Sequence, residues 1–332
     1  MFLISIGIIT IIVVIFIIQF KFKTNKLYDK MLYGHHIMIT GGSRGIGKCV
    51  AMEAARLGAN ITIVARDATR LKAAANDIKS QFIKKNQKLH YISIDLGSEY
   101  NSVKNALDCA IQEIGPLYML VNCAGMAICG TLEEMSINDI LKLINVNLIS
   151  TIQATKAVIS DMKKTGHGTI VITASQAAMC GIYGLGVYSA TKFALRGFAE
   201  ALSMETKAYG IKITLALPSD TDTPGFAEEN KSKPLETLLI SESGHLFTPE
   251  QVGHQIFKDA LEGNFFSTIG FEGHLLTIGC SGMAPCTSYF ELVCQVVFSG
   301  LLRLIVIYYQ AKFYKIIKTC KLEREENSRK IS

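Results

Sequence analysis

From His36 to about Gly263, short apolar runs rich in Ile, Val and Thr alternate with longer segments whose apolar residues recur at helical spacing. Runs from Ile37 to Thr40, Ile61 to Ala65, His90 to Ile94, Met119 to Asn122, Thr169 to Ala174 and Ile211 to Leu217 read as strands, with helices between them. Gly58 and the pair Gly115-Pro116 stand where helices must end and the chain turn back. This alternation predicts an α/β fold, a doubly wound parallel sheet of Rossmann type with helices on both faces, occupying one domain over residues 35–265.

Outside that rhythm the pattern changes three times. Residues 1–20 carry no charged side chain and are dominated by isoleucine, long enough to span a bilayer. They lack the basic start and small-residue cleavage site of a signal peptide, so an uncleaved anchor is expected. Lys21, Lys23, Lys26 and Lys30 open the linker 21–34, and the positive-inside bias leaves the remainder in the cytosol. Beyond Pro218 a long segment, 219–248, contains Pro224, Gly225 and Pro234 before a helix expected at Thr248-Pro249. Loops of this length inside a compact domain usually serve function. Residues 266–311 are apolar again, around Leu275 to Met283 and Leu292 to Gln310, but Glu291 and Arg303 interrupt them. Two readings stay open there, a membrane-spanning helix and an interfacial or substrate-covering one. Residues 312–332 are expected to be a solvated charged tail.

Composition narrows the function classes. The formal charge of +6 is scattered and there is no tryptophan, so no basic, aromatic-lined surface is expected and nucleic acid is not a partner. Nine cysteines at irregular spacing form no CxxC pair, which argues for reduced thiols and against a metal site.

The string Thr40-Gly41-Gly42-Ser43-Arg44-Gly45-Ile46-Gly47 follows a strand and opens a helix. Glycines in that place let the backbone approach a pyrophosphate at the positive helix end. Where NAD-binding folds carry an acid for the ribose 2′-hydroxyl, at the end of the second strand, this chain has Arg66. Arginine there accommodates a 2′-phosphate and selects NADP(H), with Arg44 and Arg70 as further contributors.

Four pairs have the spacing Tyr-x-x-x-Lys: Tyr100/Lys104, Tyr188/Lys192, Tyr308/Lys312 and Tyr314/Lys318. Only Tyr188 has a serine thirteen residues earlier, Ser175, at the end of an apolar strand. Tyr188 and Lys192 lie one helical turn apart and can face one site. A phenol is a poor acid at neutral pH unless a cation stabilises its phenolate, and Lys192 supplies that cation.

The glycine spacing and the Ser-Tyr-Lys set resemble the short-chain dehydrogenase/reductase family. That resemblance implies that Lys192 also contacts the nicotinamide ribose and that Asp95 accepts from the adenine amine. It implies that Asn122-Cys123-Ala124-Gly125 lies beneath the cofactor, with cysteine in place of the family's second asparagine. It further makes Asn147 a fourth catalytic residue, positioning a water that relays protons to the lysine.

A narrower match lies in the string from Asp220 to Asn230, followed by Lys233-Pro234-Leu235-Glu236-Thr237, which looks like the substrate loop of 3-ketodihydrosphingosine reductases. Gly282-Met283-Ala284-Pro285 and the amino-terminal anchor fit the same family, whereas Pro218-Ser219 departs from the usual Pro-Gly after the sixth strand. The resemblance implies NADPH-dependent reduction of a long-chain sphingoid ketone, in sphingolipid synthesis, at the cytosolic face of the endoplasmic reticulum membrane. A membrane-bound enzyme of steroid or retinoid ketones and a non-catalytic scaffold stand as alternatives; a homo-oligomer is left open.

Overall fold

The computed structural model describes residues 32–331 apart from Ser243. The expected anchor and nearly all of the linker lie outside the described residues. In chain order the elements are β1 (His36–Thr40), α1 (Gly45–Arg56), β2 (Asn60–Ala65), α2 (Ala68–Lys79), β3 (Leu89–Ser93), α3 (Tyr100–Ile114) and β4 (Leu117–Asn122). There follow α4 (Ile137–Ile144), a π-helical turn (Asn145–Ile149), α5 (Ser150–Thr165), β5 (Gly168–Thr173), a 3₁₀ turn (Gln176–Ala178), α6 (Gly186–Lys207) and β6 (Ile211–Leu217). The chain continues through α7 (Pro224–Asn230), α8 (Leu235–Ser241), α9 (Pro249–Glu262), β7 (Phe266–Thr268), α10 (Gly270–Gly279) and α11 (Tyr289–Ile331).

Seven parallel strands run in the order β3-β2-β1-β4-β5-β6-β7. Both faces are covered, which is why the strands read as nearly unbroken apolar runs. Met38, Leu120, Ile170 and Leu215 point to one face and pack with Leu107 of α3, Val158 of α5 and Leu195 of α6. Their neighbours Ile37, Ile39, Ile63 and Val121 point to the other, with Val50 of α1, Leu71 of α2 and Phe257 of α9.

The strand order reverses between β1 and β4, which opens a crevice at their carboxyl ends, the usual ligand position in such sheets. Thr40 is level with Val64 on one side and Asn122 on the other, and its hydroxyl oxygen accepts from the Cys123 and Ala124 N–H groups at 3.1 and 3.2 Å. The two crevice walls are therefore tied at their floor.

The six expected strands are present, and a seventh, β7, follows them. The segment 219–248 is two short helices pinned at a neck, where Phe247 N–H donates to the Asp220 carbonyl and Asp222 N–H to that of Phe247. The expected charged tail is helical, the end of the 43-residue α11. It is held to the domain, since Arg324 pairs with Glu236 of α8 at 2.6 Å and Cys320 is buried. All nine cysteines are unpaired.

Candidate active site

The glycine loop is built for close approach. Gly41 has φ +67°, and a Cβ there would lie 2.8 Å from Ala124 N and Cys123 O; one at Gly47 would lie 2.6 Å from Gly41 O. Only glycine lets α1 start this near β1 and β4. The first turn of α1 carries no acidic residue and no side-chain cap, so its N–H groups face the crevice uncovered by the chain's own carboxylates. Gly45 meets Thr223 from across the crevice, where an added Cβ would lie 3.2 Å from its methyl. These features fit a dinucleotide pyrophosphate, and Ser43, Arg44 and Ile46 line the same turn.

At the outer end of the crevice Arg66 follows β2 and Asp95 follows β3, their charged groups 3.9 Å apart and both largely exposed. That separation leaves the guanidinium free to turn toward a phosphate. Arg70 is held by Asp67, Nε to Oδ2 3.1 Å, while Asp67 also caps α2 by accepting from Arg70 N–H. The acid nearest the end of β2 is thus spent on its own helix.

Asn122 is turned inward, donating to Thr155 Oγ1 at 3.1 Å and 1% exposed. Its side chain braces β4 against α5, which leaves Ala124 and Gly125 as the crevice surface of this stretch. A Cβ on Gly125 would lie 3.4 Å from Asn147 Oδ1 and 3.6 Å from Lys192 Nζ, so both polar groups converge on the open space in front of this glycine.

Asn147 sits in the π-helical turn between α4 and α5. π turns inserted in α-helices are often functional. Its amide accepts from Met126 N–H and donates to Met126 O, both at 2.9 Å, and donates to Thr191 Oγ1 on α6 at 3.1 Å. The amide thereby locks the loop after β4 to the helix of Tyr188 and Lys192.

Lys192 is 4% exposed and donates from Nζ to the Thr173 carbonyl at 3.1 Å. Burial pulls its pKa down to about 8. Tyr188, one turn earlier, hydrogen-bonds with Ser175 and lies with its ring centroid 5.5 Å from Lys192 Nζ. Burial pushes the phenol pKa up, the carboxylates of Glu229 and Asp220 push it further, and the Ser175 hydrogen bond pulls it back in part. Burial and the two carboxylates thus favour the protonated phenol, the form a proton donor needs. Ser175 caps the 3₁₀ turn after β5, its Oγ accepting from Ala177 N–H at 3.2 Å.

The structure thus brings Asn147, Ser175, Tyr188 and Lys192 to the crevice that the glycine loop opens. A match to the family model described as short chain dehydrogenase covers residues 35–234. The chain belongs to the short-chain dehydrogenase family. Membership makes it an oxidoreductase that uses a nicotinamide cofactor. A relative from Mus musculus named 3-ketodihydrosphingosine reductase is 46% identical over 293 residues, 88% of each chain. A 3-dehydrosphinganine reductase of Danio rerio is 45% identical over 295 residues, 89% of each chain. One from Arabidopsis thaliana is 35% identical over 286 residues, 85% of each chain. Among solved structures, levodione reductase matches with a TM-score of 0.65 at 19% identity, covering 72% of this chain and 96% of its own. That last likeness concerns the fold.

The resemblance puts Asp220, Glu229 and Lys233 in a substrate loop but gives none of them a role of its own. Asp220, Glu229 and Lys233 come together there, with Glu229 Oε1 3.1 Å from Lys233 Nζ and the lysine side chain 1% exposed. The signal was three charges in a segment that folds onto a buried site, but only the fold shows that they face inward.

Proposed function

We propose that the chain reduces the 3-ketone of 3-ketodihydrosphingosine to the alcohol with NADPH, at the cytosolic face of the endoplasmic reticulum membrane. The observation that carries the substrate is the 46% likeness to the Mus musculus reductase across 88% of the chain, well beyond the 35–234 core shared by the whole family.

Bound in the crevice, the reduced nicotinamide supplies the hydride for the ketone carbon. Ser175 Oγ–H donates to the ketone oxygen and fixes its place. Tyr188 donates its phenolic proton to that oxygen as negative charge develops on it. Lys192, already buried beside the phenol, stabilises the resulting phenolate and passes it a proton. Asn147 holds Met126 and Thr191 so that these groups stay in register. Arg66, with Arg44 near the glycine loop, favours the 2′-phosphate of NADPH over the plain ribose of NADH.

Membrane association is supported by α11, which is long and apolar enough to cross a membrane and exposes Leu292, Val296, Leu301, Leu304 and Tyr308. Its contacts with α10 and α8 favour the substrate-covering reading over the spanning one.

The test is turnover by purified full-length protein in detergent, with NADPH and either 3-ketodihydrosphingosine or a ketosteroid. Reduction of the lipid is expected; reduction of the steroid alone would overturn the assignment.

A further inference from the structure

The carboxylates of the segment 219–248 have no part in the proton transfer described above, yet they face it. Glu229 is paired with Lys233, whose ammonium also lies 4.2 Å from the Phe226 ring centroid. Asp220, at the neck of the segment, has no cation within ion-pair distance among the described residues; the Ser241 hydroxyl bonds to it and Lys233 acts on it from farther off. Both carboxylates act on the Tyr188 phenol and on the Cys129 thiol. Cys129 and Lys233 in turn line a cleft of about 420 Å³ that continues outward past Glu236 to Arg324. Asp220, Glu229, Cys129 and Tyr188 therefore form one neighbourhood, which meets the cleft at Cys129 and at Lys233, the partner of Glu229.

Two carboxylates against one ammonium leave an excess negative charge in a partly buried place. Such a charge is costly unless a cation completes it. It also opposes the phenolate that proton donation would leave on Tyr188.

We propose that Asp220, backed by the Glu229–Lys233 pair, receives a protonated amine on the carbon beside the ketone, so that the site selects 2-ammonium ketones over plain ketones. This inference rests on the function proposed above. An ammonium group there neutralises the excess charge and removes its opposition to the phenolate, which ties recognition of the amine to the ease of proton donation. The reaction is unchanged in its balance: the amine stays protonated throughout.

The experiment compares 3-ketodihydrosphingosine with the same hydroxyketone lacking the amine, using the full chain in detergent with NADPH. Wild type should favour the amino ketone in kcat/KM by at least about 30-fold, the order expected of a charge-assisted hydrogen bond in a desolvated site. Asp220→Asn should bring that ratio close to one, and Asp220→Glu should restore part of it, with NADPH binding reporting that each variant is folded. An unchanged ratio in Asp220→Asn overturns the proposal. A second measurement needs no variant: the saturated amino diol should inhibit wild type far more tightly than the diol without the amine, and equal inhibition also overturns it. Wild type that reduces both lipid ketones equally defeats the amine inference alone, whereas wild type that reduces only a steroid defeats the proposed function itself.

Discussion

Asn147 grips Met126 by both of its backbone groups, the N–H and the carbonyl each bonded to the one side-chain amide at 2.9 Å. The residue is completely buried, and its third bond, to Thr191, reaches the helix of the catalytic pair. Asn147→Leu keeps the volume and removes all three bonds. Stability should fall by about 3 kcal/mol, because the Met126 groups and Thr191 lose their partner in a dry place; urea unfolding measures it. Activity should fall in the folded fraction as well. A variant that matched wild type in both would show that the π turn is held by something else.

Tyr188→Phe removes the proton donor while keeping the ring. Reduction should slow by about a thousandfold. NADPH affinity, read by fluorescence titration, should stay within about twofold, since the ring's packing is retained.

The buried ammonium of Lys192 gives a pH signature. Its pKa stands at about 8, below the usual lysine value, because burial disfavours the charged form. It is an ammonium below that pH and an amine above it. The rate of reduction at low substrate should therefore decline as pH rises through about 8. A profile flat to pH 10 would show that Lys192 is not the group that supports the phenolate.

Arg66→Ala should weaken NADPH at least about tenfold and leave NADH nearly untouched, because only the former offers a phosphate to the guanidinium. Equal loss of both cofactors would defeat the phosphate argument.

Gly41→Ala puts a methyl group 2.8 Å from the Ala124 nitrogen at a backbone angle of φ +67°. The strain should cost about 1–3 kcal/mol. It should also lower NADPH affinity, because the floor between β1 and β4 must move; thermal unfolding with and without cofactor separates the two effects.

How far the sequence could be read depended on length and repetition. Six strands of five to seven residues announce themselves, but Phe266–Thr268 is too short to show a period, and its place in the sheet comes from pairing with Leu215, Ala216 and Leu217. The Thr248-Pro249 start of α9 was legible as a cap followed by proline. The same signature at Thr223-Pro224, where Thr223 accepts from Phe226 N–H, opens a helix of only seven residues that leaves no periodic trace. Ser175, Tyr188 and Lys192 were legible because strand end and helix turn fix their spacing. The inward turn of Asn122 was not, since Thr155 lies 33 residues away. The state of the Tyr188 phenol was not legible either, because it depends on Asp220 and Glu229, which approach only through the folded segment.

The long terminal helix has one more geometric consequence. At 1.5 Å per residue, its 43 residues make a rod of about 65 Å, against roughly 30 Å for a bilayer's hydrocarbon. Three points hold it to one body: Thr287 bonded to Phe265 just before its start, Leu302 against Gly279, and Arg324 on Glu236. A rod pinned in this way runs along the body that holds it, so the apolar side chains it exposes, Leu292, Val296, Leu301 and Leu304 among them, are fixed in place relative to the sheet.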